Sequence, residues 1–237
     1  MHSMNTKLQL WCTWSIVPFI FFYLIGFGFI AGFLPPQLPS MSTADIFTFY
    51  QSNRLDIQVG QLIALTSSGF MLTWPAAVSA QMARIEKGPL YLLSIIQYIM
   101  AALLFVFFAI CGIIWSTAAF RTDIDPATLR ILNDLGWFIF VMAFPQYVVQ
   151  LGSIAIVGFM DRRDKPFLPR WACYVTAGVA IDGSFGGFAT FFTNGLFAWN
   201  GLIGFWLPVT SFVLWLVFII FPFLLKAIAR EAAEVAV

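Results

Sequence analysis

Residues 171–225 read WACYVTAGVAIDGSFGGFATFFTNGLFAWNGLIGFWLPVTSFVLWLVFIIFPFLL, with Asp182 as their single charge. A bilayer core of about 30 Å takes roughly 20 apolar residues in helical form, because lipid offers no partner to an unpaired backbone N–H or C=O. The stretch is long enough for two crossings. Thr193-Asn194-Gly195 and Trp199-Asn200-Gly201 supply turn chemistry near its middle. The other arrangement of the same residues is one span followed by a re-entrant hairpin.

Outside this stretch, uncharged runs cover Leu8 to Ala44, Ile57 to Ala83, Gly88 to Phe120 and Leu135 to Met160. The expected fold is all-α, a polytopic bundle of six transmembrane spans near residues 14–34, 58–81, 89–114, 135–158, 171–193 and 205–226. These make a single integral membrane domain over 1–237. The first run keeps its place as helix one. Its apolar body is too long for a secretory leader, and no small-residue cleavage site follows it.

Composition narrows the classes. With 61% hydrophobic residues, 10% charged and a mean hydropathy of +0.90, the chain is not a water-soluble globule. A net charge of +1 favours no nucleic acid. One histidine, at position 2, and three scattered cysteines (Cys12, Cys111, Cys173) fall short of a ligand set for haem, zinc or an iron–sulfur cluster. Neither a metal nor another cofactor is expected. Integral di-iron enzymes, b-type cytochromes and intramembrane zinc or Ser–His proteases lack their residues, so an autonomous enzyme is disfavoured.

Orientation follows from the basic residues. Lys7, Arg84, Lys87, Arg162, Arg163, Lys165, Arg170, Lys226 and Arg230, nine of the twelve, fall at the termini or in the second and fourth loops. Both termini are therefore expected on the cytoplasmic side. In the first external loop Pro35, Pro36 and Pro39 end helix one, and Ser42-Thr43-Ala44-Asp45 fits a capping box. A short outer-leaflet helix over about 42–54 follows, read as an interfacial anchor in preference to a lid. Asp125 is placed to cap a helix that begins at Pro126. The loop Asp161–Pro166 serves as a positive-inside anchor or a site for anionic lipid.

Asp182 is the one ionisable side chain expected near the midplane, where a charge costs roughly 2.5–3.5 kcal/mol on insertion scales. No Lys or Arg lies at its level. It is read as a proton carrier, as a ligand for a cation or polar substrate, or as a protonated donor that joins helices. Counting from Arg170 at 1.5 Å per residue puts it about 18 Å along its helix. Similar counting brings Gln146 to the same level, Gln150 one turn further inward and Gln97 into the inner half. The four are expected to form one polar cluster, beside a kink at Pro145.

A second polar patch holds Gln61, Thr66, Ser67 and Ser68. Gly28 with Gly32, and Gly183 with Gly187, have the G-x-x-x-G spacing of close helix packing. Trp residues near the span ends suit an aromatic belt. A Phe- and Met-lined cavity with a few polar groups suits a lipid, sterol or hydrocarbon.

The segments Pro35-Pro36-x-x-Pro39, Arg84-Ile85-Glu86, Leu132-Asn133-Asp134-Leu135-Gly136-Trp137, Pro169-Arg170-Trp171 and Phe197-Ala198-Trp199-Asn200-Gly201 together resemble a family of uncharacterised multi-span membrane proteins of bacteria. The resemblance covers nearly the whole chain. It implies the bacterial cytoplasmic membrane and carries over no catalytic residue. Two functions stay open. One is binding or transport of a lipophilic small molecule in an intrabundle cavity, with membrane lipids as surroundings. The other is a non-catalytic subunit or assembly factor, with protein subunits or further copies of the chain as partners.

Overall fold

The computed structural model describes residues 2–87 and 90–235. Among these the chain is 80% helix without strands. Seven helical elements follow one another: α1 (Asn5–Ile30), α2 (Thr43–Ser52), α3 (Arg54–Glu86), α4 (Leu92–Ala118), α5 (Pro126–Met160), α6 (Arg170–Gly183, prolonged by the 3-10 turn Ser184–Phe191) and α7 (Leu202–Glu234). Residue 89, the expected start of the third span, lies outside the described residues.

α1, α3, α4, α5 and α7 are long and apolar enough to cross a membrane. α6 is not among these five, since Asp182 and its glycines dilute its apolar character. Its 14 α-helical and 8 3-10 residues nevertheless extend about 37 Å at about 1.5 and 2.0 Å per residue. A turn through 192–201, with Gly195 at φ +86°, leads from α6 into α7.

Proline decides where the long helices break. α1 restarts at Ile16 with Pro18, α3 at Trp74 with Pro75, and α5 at Phe144 with Pro145. α7 restarts at Leu207 with Pro208 and again at Phe221 with Pro222. In the first turn a missing N–H leaves no bond unmade, whereas in a helix interior the ring would clash with the preceding turn. Three of these restarts, at Trp74, Leu207 and Phe221, follow irregular segments, and a fourth irregular segment ends α1. Leu24–Ile30, Leu202–Trp206 and Leu216–Ile220 are π-helical, and Gly69–Leu72 is 3-10.

The first and last helices meet at one end of the bundle, labelled inner after the orientation expected from the basic residues, with the opposite end labelled outer. Gln81 of α3 donates from Nε2 to Gln9 Oε1 and to Glu231 Oε2, both at 2.7 Å, and Gln9 donates to the same carboxylate at 3.2 Å. Arg84 pairs with Glu231 at 3.0 Å and Glu234 at 2.5 Å. Trp14 and Phe221 pack edge to face, with centroids 5.1 Å apart. Arg230 also donates to the Lys165 and Pro166 carbonyls at 3.0 Å, so the α5–α6 loop closes onto α7. Within that loop Asp161 accepts from Arg163 Nε and Nη2 at 2.8 and 2.7 Å and from Phe167 N at 2.7 Å. Burial opposes ionisation of Asp161, yet these bonds together hold its carboxyl below the usual range.

The opposite end is aromatic. Phe27, Phe33, Trp115, Trp137, Phe140 and Phe205 form one connected group of rings, with Phe33–Trp115 at 4.9 Å and Trp115–Trp137 at 5.1 Å. One amide joins it to the loops. Gln37 accepts from Trp137 Nε1 through its side chain at 3.0 Å, and from Trp199 Nε1 through its carbonyl at 2.8 Å.

Ser42 caps α2, accepting from Asp45 N at 3.2 Å, and Asp125 caps α5 by accepting from Thr128 N at 2.9 Å. α2 packs on α5. Its apolar face turns into the protein, with Ile46 and Tyr50 fully buried and Tyr50 donating to Asn133 Oδ1 at 3.1 Å. Burial against α5 gives a phenol a fixed acceptor that a headgroup layer does not.

Candidate functional site

A cavity of about 140 Å3 lies between the polar and aromatic ends. Ile20, Tyr23 and Leu24 of α1, Leu104 and Phe108 of α4, Phe140 and Tyr147 of α5, and Val209, Phe212 and Val213 of α7 form much of its wall. Each irregular helical segment also contributes. Leu24 and Phe27 come from the first π segment, Gly204 and Phe205 from the second, Leu216 from the third, and Met71 and Gly186 from the two 3-10 turns. A π turn widens the helix and displaces its side chains, and such turns occur frequently at functional sites. Here they coincide with a space that regular helices would have closed.

The polar groups near this cavity are few. Tyr147 lines it, and its buried hydroxyl has no hydrogen-bond partner. Asp182 lies beside Tyr147, half-buried, with Oδ1 buried and unpartnered. Ser211 of α7 is within reach of both. However, its hydroxyl donates to the Pro208 carbonyl at 3.1 Å, so the Ser211 proton is directed at neither neighbour. Among the described residues no cation pairs with Asp182.

The four-residue cluster expected from the sequence does not form. Gln97 donates to the Pro75 carbonyl at 2.7 Å and to Ser79, binding α4 to the break in α3. Gln150 is 1% exposed and both of its amide atoms lack partners, while Gln146 keeps an unpartnered Oε1. None of the three bonds Asp182. Counting along a helix fixes height, but the angle around the axis depends on the restart of α5 at Phe144.

The second patch serves the backbone. Thr66, Ser67 and Ser68 donate to the Leu62, Ala64 and Leu65 carbonyls at 2.7–2.9 Å, where the α-helical part of α3 gives way to the 3-10 turn. Gln61 is buried beside Gly112 with Nε2 unpartnered.

The glycines divide. Gly183 and Gly187 lie against Tyr147 and Phe144, so α6 presses on the second half of α5. Gly28 faces Leu34 of its own chain segment, and Gly32, at φ +69°, ends α1 in the left-handed region. Neither makes a helix crossing. The crossing of α1 and α3 is at Gly26 and Gly60, where a Cβ on Gly26 would come 2.5 Å from the Gly60 carbonyl oxygen. These two are too far apart in sequence for a spacing rule to join them.

Other functional groups that sequence reading missed are Tyr147, Ser211, Gln37 and the Gln9–Gln81–Glu231 set. The only local signal for Tyr147 is its place two residues after Pro145. No family model matches the chain, and neither does any curated protein or solved structure. The motif resemblance lends it no activity.

Proposed function

We propose that this is a membrane protein that binds or transports a lipophilic small molecule in the cavity between its helices. The carrying observation is the convergence of every π and 3-10 segment among the described residues on one apolar space with two unpartnered polar atoms at it, the Tyr147 hydroxyl and Asp182 Oδ1. An apolar cavity of about 150 Å3 stays dry and accepts a benzene-sized hydrocarbon, so this space suits a ring or a short acyl segment. Ile20, Leu24, Val209 and Val213 of its wall are partly exposed. Access from the lipid between α1 and α7 is part of the proposal.

The proposal includes six crossings, with α6 as the fifth and both termini on the cytoplasmic side of a bacterial membrane. The meeting of α1 and α7 at one end supports an even number of spans, and nine of the twelve basic residues supply the orientation. A role as subunit of a larger complex rests on polar groups that join helices. In this chain the inner set joins helices of one molecule, which favours the binding reading.

The test uses the purified chain in nanodiscs and bromobenzene as a quencher of tryptophan fluorescence. Saturable quenching that is lost when Val209→Trp fills the cavity is expected. Quenching that rises linearly and is equal in both proteins would overturn the reading.

A further inference from the structure

We infer that Asp182, Ser211 and Tyr147 form a head-group subsite for a cationic amine, so that the cavity's ligand is a lipophilic amine rather than a plain hydrocarbon. This rests on the binding reading and specifies its substrate class.

The inference starts from unfilled bonding capacity. Asp182 Oδ1 and the Tyr147 hydroxyl are buried without partners, and the Ser211 proton goes to Pro208. A buried polar atom without a partner is costly, the more so if charged. Two hydroxyl oxygens and a carboxyl therefore converge where, among the described residues, the chain provides no cation of its own. An ammonium group has three donors, no acceptor and one positive charge, which is the complement of that set. A carboxylate or phosphate ligand would meet acceptors and like charge. A neutral alcohol would satisfy one oxygen and leave the carboxyl without a counter-ion.

Position supports the same assignment. The polar group stands where α5, α6 and α7 meet. Tyr147 is shared with the cavity, and Gly183, next to Asp182, forms part of the cavity wall. An amine at Asp182 therefore has an apolar space of about 140 Å3 beside it for its ring or chain. Glycine at 183 is what admits the Tyr147 ring so close to α6.

The experiment compares 2-phenylethylamine with ethylbenzene, which has the same ring and a similar chain without the amine. Binding to the full chain in nanodiscs is read by competition with bromobenzene quenching. Wild type is expected to bind the amine at least tenfold more tightly than ethylbenzene. Asp182→Asn should remove that preference and leave ethylbenzene within twofold. Ser211→Ala, which retains the carboxyl, should cost the amine a smaller factor, about twofold to fivefold. Equal binding of the two probes by wild type, or an unchanged amine preference in Asp182→Asn, would overturn the subsite while leaving the cavity reading intact. Failure of both probes to bind wild type would overturn both. If Asp182→Asn does not fold, Ser211→Ala decides the matter: an amine bound about twofold to fivefold more weakly with ethylbenzene unchanged supports the subsite, and an amine affinity equal to that of wild type overturns it.

Discussion

The two ends of the bundle are closed by different physics. At the inner end directional bonds converge on Glu231, which accepts from Gln9 and Gln81 and pairs with Arg84. At the outer end rings pack around Trp115 and Trp137, and Gln37 is the amide that joins them to the loops. In lipid, apolar surfaces gain little by meeting one another, so hydrogen bonds and close packing select the helix partners. The inner bonds specify that α1, α3 and α7 meet. The outer rings add contact area without the same directionality. Between them lies the cavity, where the helices are least regular.

The outer end is the more costly to break. Trp137→Ala removes a fully buried ring and leaves the Gln37 side-chain oxygen without its indole donor. A loss of about 3–5 kcal/mol is expected from thermal or denaturant unfolding in detergent, and a loss under about 1 kcal/mol would show that the ring cluster does not hold this end. The inner end comes next. Glu231→Ala leaves Arg84 and two amides without their shared acceptor, for an expected loss of about 2–3 kcal/mol. Glu231→Gln, which keeps an acceptor oxygen but not the charge, should lose less, and equal losses would deny the charge any part in joining α3 to α7.

The inner loop adds a pH dependence that the rings lack. The Asp161 carboxyl titrates below its unfolded value of about 3.9. Its contribution is therefore present above about pH 4 and is lost as pH falls through the lower folded value. Melting curves from pH 7 to pH 3 should show Asp161→Asn losing less on acidification than wild type. Parallel curves would remove Asp161 from the inner closure. The smallest effect is expected at Gln150, whose buried amide bonds nothing. Gln150→Met should leave stability unchanged or raise it by up to about 1 kcal/mol, and a clear loss would place a partner on that amide.

Features set by neighbouring residues were legible in the sequence. Ser42 and Asp125 cap across three residues, Asn194-Gly195 lies in the turn between α6 and α7, and the Pro145 kink appears as a restart of α5. What escaped depends on distant parts of the chain. Gln81 meets Glu231 across 150 residues and Gln9 meets it across 222. No periodicity announces such pairs. The π segments were also hidden, since they carry the same apolar residues as the α-helix beside them. Asp182 was identified as the acid to follow, but height along a helix put glutamines around it where the fold puts Tyr147 and Ser211.

Native mass spectrometry of the chain released from nanodiscs tests the central claim most directly. Wild type should carry a small lipophilic adduct at one per chain, and Val209→Trp, folded and monodisperse, should carry none. Bare wild-type protein, or an adduct that persists in Val209→Trp, would contradict binding in the cavity.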